Sequence, residues 1–124
     1  MQDKILYEYA VIRLIPKVER EEFVNVGLIM MSKRSKWIKV EICPDIKRIE
    51  AIANKTDISL PLNQLEVFTR VCDGIGKFKE MPVEERFRWL TAVKSTCVQT
   101  SRPHPGITFD LEHTFNRLLT ELVK

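Results

Sequence analysis

From Phe23 to Met31 the chain reads F-V-N-V-G-L-I-M-M, with Val24, Val26, Leu28 and Met30 apolar at every even position and Asn25 and Gly27 interrupting the odd row of Phe23, Ile29 and Met31. Alternation of this kind predicts a central β-strand with one face in a core and a second face broken by a polar residue and a missing side chain. Upstream, Tyr7 to Ile15 alternates as well, with Ala10, Ile12 and Leu14 on one face, Tyr9, Val11, Arg13 and Ile15 on the other, and Pro16 closing the run. The charged segment Lys17 to Glu22 predicts a hairpin between the two. A loop symmetric about Glu19 sets Arg13 opposite Asn25, Ile12 opposite Val26 and Ala10 opposite Leu28, so that apolar meets apolar. Downstream, Ile38, Val40 and Ile42 alternate with Trp37, Lys39, Glu41 and Cys43. Folding about Arg34 then pairs Met30 with Ile38, Leu28 with Val40 and Val26 with Ile42. The pattern predicts a three-stranded antiparallel meander whose second face gathers Tyr9, Arg13, Asn25, Gly27, Lys39 and Glu41.

Past Pro44 the period lengthens to that of a helix. Pro44 suits a first turn, Ile46, Ile49, Ile52 and Ala53 form an inward stripe, and Asn54 to Asp57 ends it. A second helix is predicted from near Pro61, burying Leu65, Phe68 and Cys72 and stopping at Gly74-Ile75-Gly76. A third follows Pro82, with Val83, Phe87 and Leu90 inward and Glu84 and Glu85 at its positive N-terminal end. Thr96, Val98 and Thr100 alternate with Cys97, Gln99 and Ser101, which predicts a polar fourth strand ending at Pro103. Asp110 caps a final helix whose Leu111, Phe115, Leu118, Leu119 and Leu122 repeat at helical spacing. The expected fold is α+β: an antiparallel sheet of three to four strands, a meander plus the later polar strand, with about four helices packed mainly on one face.

Composition adds bounds. A length of 124 residues is that of one domain, and 20 basic against 17 acidic residues, spread along the chain, give a net charge of only +3. Cys43, Cys72 and Cys97 are odd in number, widely spaced and set in apolar stretches, which predicts reduced thiols and a cytoplasmic location rather than a disulfide frame or a metal site. No apolar run approaches the roughly 18 residues of a membrane span. The Gly74-Ile75-Gly76 stretch lacks both the preceding strand and the Lys-Ser/Thr ending of a phosphate loop, so no cofactor is expected there.

Four stretches together carry a family resemblance: Y-A-V-I-R-L-I-P at Tyr9 to Pro16, R-E-E-F-V-N-V-G at Arg20 to Gly27, R-F-R-W-L-T-A at Arg86 to Ala92, and S-T-C-V-Q-T-S-R-P-H-P-G at Ser95 to Gly106. They resemble the bacterial domain-of-unknown-function family number 3037 over nearly the whole chain. The departures are Val93, where proline is expected, and Cys97, where valine is usual. The family has no established activity. Its genes tend to lie beside, or fused to, HipA-like kinases, so the resemblance implies a partner or regulatory subunit of such a kinase, in a toxin–antitoxin setting.

The residues themselves offer three classes of function. For an interaction module, Arg13, Asn25 and Glu41 on neighbouring strands around Gly27, with Trp37 as an aromatic anchor and Gln99, Ser101 and His104 on the rim, would form the binding surface. The bland reading of the same residues is an ion pair between Arg13 and Glu41, a loop contact from Asn25 and a bulge at Gly27. A hydrolase or transferase would use His104 as general base with Ser95, Thr96 or Ser101 as nucleophile, and would need a group to orient the imidazole. A nucleic-acid binder would track phosphates with Lys33, Arg34, Lys36 and Lys39 and stack a base on Trp37. Edge strands also leave room for pairing between two copies of the chain.

Overall fold

The structure is a computed structural model that describes residues 3–92 and 97–124. Five strands form one antiparallel sheet: β1 (Ile5–Leu14), β2 (Val24–Ser32), β3 (Trp37–Ile42), β4 (Val98–Thr100) and β5 (His104–Thr108). The order is β3-β2-β1-β4, and β5 takes the other half of the same β1 edge. Among the described residues five α-helices accompany it: α1 (Ile46–Ala53), α2 (Ser59–Gln64), α3 (Glu66–Cys72), α4 (Val83–Thr91) and α5 (Leu111–Leu122). Only Leu65 separates α2 from α3, and Pro61 sits in the first turn of α2, where its missing N–H leaves no helical bond unmade. In α1 the N-cap is Asp45, whose Oδ1 accepts the Arg48 N–H at 3.2 Å, so Pro44 stands one residue before the N-cap and not in the first turn.

The meander is present, and its register changes partway. Leu14 faces Val24 and Arg13 faces Asn25, as symmetry about Glu19 requires; then Ile12 faces Gly27 and Ala10 faces Ile29. Val26 is the extra residue of a β-bulge, so every pairing beyond it is shifted by one from the expected register. The β2–β3 ladder carries the same shift, with Met31 opposite Ile38, Ile29 opposite Val40 and Gly27 opposite Ile42. The even-odd rule of β2 therefore inverts along its length. Val24 and Val26 share one face with Ile29 and Met31, while Leu28 and Met30 point to the other.

Both faces of the sheet are consequently buried. On the first, Ala10, Ile12, Leu14, Val26 and Ile29 pack with Ile49 of α1, Phe68 and Val71 of α3, and Phe87 and Leu90 of α4. On the second, Val11, Leu28 and Met30 pack with Phe115, Leu118 and Leu119 of α5. Helices lie mainly on one face, as the sequence predicts, yet the helix with the plainest apolar stripe occupies the opposite one and covers most of the face expected to be polar. The segment around His104 is also a strand rather than a turn. Pro105 removes only one donor from it, a loss that an edge strand tolerates.

Candidate functional site

The expected binding residues divide into groups. Arg13, Asn25 and Gln99 do come together, because Arg13 on β1 is the register partner of both Asn25 on β2 and Gln99 on β4. The Arg13 guanidinium lies 4.4 Å from the centre of the half-exposed Phe23 ring. Asn25 Nδ2 donates to the Leu122 carbonyl at 2.9 Å, and Arg48 donates to the Val123 carbonyl at 3.3 Å, so both cap the C-terminal end of α5. Arg13 Nε and Asn25 Oδ1 are buried and have no hydrogen-bond partner among the described residues.

Gly27 does not belong to that row. A Cβ built on it points into the first core, 3.0 Å from Ile42 Cδ1 and 2.7 Å from the Glu41 carbonyl oxygen. The glycine admits the close approach of β3 at the bulge, and the expected placement of Gly27 beside Asn25 is corrected accordingly. Glu41 does not reach Arg13 as an ion-pair partner; its carboxylate lies 3.9 Å from Lys124 Nζ. Ser101 is buried at the break between β4 and β5. Its Oγ accepts the Val11 N–H at 2.9 Å and its N–H donates to the Val11 carbonyl, which keeps the β1 edge paired across the break.

Trp37 pairs with Ser32, five residues from the Ile42 end of β3 and so about 17 Å along the strand from the Arg13 row. Its ring meets Phe115 of α5 edge-on, with centroids 6.3 Å apart, and Lys39 is bonded to Glu112 at 2.6 Å. His104 is exposed, pairs with Tyr9, and rests 5.2 Å from that ring, centre to centre. No described residue hydrogen-bonds to its imidazole, and the candidate nucleophiles Ser95 and Thr96 lie outside the described residues, as does Val93.

What the sequence reading does not anticipate is a vacancy in the first helical layer. Leu6 and Ile107 are register partners on β1 and β5 and stand 66% and 59% exposed; Phe109, two residues on, is 54% exposed. Leu6 belongs to the even row of β1 whose Ala10, Ile12 and Leu14 are fully buried under α1 to α4. The helices stop short of it. A groove of about 570 Å³ runs over this uncovered end, lined by Leu6, Glu8, Met31, Lys33, Arg34 and Pro105. Its wall toward α4 is held by Arg88, which donates from Nη1 and Nη2 to the two oxygens of the Glu8 carboxylate, and by Lys33, 3.4 Å from Glu84. The Glu8 hydrogen bonds raise the Arg88 pKa further, so that cation is permanent. The apolar pair at i and i+2 in H-P-G-I-T-F was the available signal for this surface, masked by the turn-like Pro-Gly before it.

Among the described residues no cluster of His, Cys, Asp or Glu has metal-ligand geometry, and no helix is long and apolar enough to cross a membrane. A family model described as "Protein of unknown function (DUF3037)" matches residues 9–123. No curated protein and no solved structure matches the chain.

Proposed function

The chain belongs to the DUF3037 family of proteins of unknown function, and from that premise we propose that it is a non-catalytic protein-interaction module whose contact surface is the uncovered end of its sheet. The observation that carries this reading is the row of Leu6, Ile107 and Phe109, large apolar side chains more than half exposed beside an open groove. Contiguous apolar surface of this kind marks contact sites in folded proteins, whereas isolated exposed hydrophobes do not. Each of the three is already partly covered, so burying what remains of one contributes about 1–2 kcal/mol and of all three about 3–5 kcal/mol. The association cost of about 4–15 kcal/mol is as large or larger, so the patch supports a reversible contact that needs polar support, as suits a regulatory subunit.

The family resemblance makes a HipA-like kinase the partner to test. The expected result is that Leu6→Asp and Ile107→Asp each abolish co-purification with a co-expressed HipA-like kinase while the melting temperature stays within a few degrees of the parent. Undiminished co-purification of both variants would remove this surface from the interaction. The half-exposed Phe23, with the Arg13 guanidinium 4.4 Å from its ring centre, supports a second, smaller contact area. Arg13→Ala would then weaken co-purification less than Leu6→Asp does.

A further inference from the structure

The groove beside Leu6 lies where the first helical layer stops short of the sheet. Its floor is a sheet face and not a sheet edge, and elsewhere that face is roofed by α1 to α4. Sheet faces are closed by helices laid across them. One side of the vacancy is already walled by α4: Glu84, Glu85, Arg88 and Trp89 line a second depression that shares Glu8, Met31 and Lys33 with the groove. The charges along the two sides differ. Toward α4 they are satisfied internally, Glu8 by Arg88 and Glu84 by Lys33. At the far side Arg34 has no hydrogen bond or ion pair among the described residues, and it lines both the groove and an adjoining hollow that contains Lys4, Asp3 and Phe109. An apolar floor with one uncompensated guanidinium at its outer rim, next to the partly engaged Lys33, complements an apolar stripe flanked by carboxylates.

Resting on the interaction-module reading, we infer that this groove seats an amphipathic helix of a partner protein, one that lays an aliphatic stripe on Leu6 and the adjoining Ile107 and turns acidic side chains toward Lys33 and Arg34. The helix completes the layer that α1 to α4 leave open. Arg34 takes a carboxylate in two-pronged fashion, and the aliphatic stripe removes Leu6 and Ile107 from water.

The test uses three synthetic 18-residue helical peptides with a fluorescent label: a leucine stripe flanked by glutamate, the same stripe flanked by lysine, and the glutamate peptide with serine in place of the stripe. Fluorescence anisotropy with the full chain should show binding of the first alone, weakening several-fold between low and physiological salt. The double variant Lys33→Ala, Arg34→Ala should lose roughly three- to tenfold in affinity at low salt and little at high salt, the range expected for one or two exposed ion pairs. Leu6→Ser with Ile107→Ser should abolish binding at every salt concentration. Equal binding of the lysine and glutamate peptides, or no binding of any of the three, overturns the inference. The two levels of the reading separate cleanly: if Leu6→Asp abolishes kinase co-purification while Lys33→Ala with Arg34→Ala leaves it intact, the module stands and the acidic helix falls. If neither change matters, the surface itself is wrong.

Discussion

Gly27 shows how much one missing side chain decides. Next to the Val26 bulge β3 runs so close to Gly27 that an added Cβ would lie 2.7 Å from the Glu41 carbonyl, a backbone atom that cannot swing aside. Gly27→Ala is expected to cost about 1–3 kcal/mol through overpacking, seen as a lower urea midpoint with unchanged slope. An unchanged midpoint would mean that the bulge absorbs the methyl group. Cys72 makes a different prediction. Burial, reinforced by the charge of Asp73 and opposed by Arg86, pushes its thiol up to about 12 from 9.0. The folded thiol thus keeps its proton where the unfolded chain's thiol gives it up, so this group leaves stability intact below pH 9 and removes it progressively as the pH rises to about 12. Cys72→Ala should flatten that alkaline decline relative to the parent, with Cys43, raised by burial and by Glu41, retaining a smaller share. Parallel curves for parent and variant in alkaline urea titrations would contradict the assignment.

At the scale of elements, α5 carries the second core by itself. Asp110 Oδ1 accepts the His113 N–H at 3.1 Å to start the helix, and Asn25 and Arg48 take up two carbonyls at its end. Between these caps Phe115 is fully buried against Val11, Leu28 and Met30. Phe115→Ala should therefore cost about 3–5 kcal/mol, and the near-ultraviolet circular dichroism of Trp37 should change as its edge-on partner disappears. A loss below about 1 kcal/mol would show that α5 is a loosely held flap instead of a structural roof. The same placement reassigns Trp37 and Lys39, whose side chains are held by Phe115 and Glu112 on the α5 face. Trp37→Ala is accordingly a probe of the second core and not of an exposed contact surface.

Over the whole molecule, the sheet is roofed on both faces except at one end, and this asymmetry locates the proposed contact surface far from the Arg13 row. Leu6 and Ile107 contribute little to folding because more than half of each already faces water, so polar substitutions there should shift stability by no more than about 0.5 kcal/mol while removing the contact. The strands of the meander, the helices, the cap at Asp110 and the start of α4 after Pro82 were legible in the chain, because alternation and helical spacing are local properties that each segment carries in its own residues. The row of Arg13 and Asn25 was legible for the same reason, since it lies on the hairpin side of the bulge where loop symmetry still sets the register. Three things were decided only by the fold: the one-residue shift at Val26, the seat of α5 on the opposite face, and the pairing of a Pro-Gly segment with the free half of β1. Each depends on which surfaces meet across long sequence separations. A strand apolar on both faces, as β2 is, tells its neighbours that it must be covered twice but not by which helix, and only packing chooses.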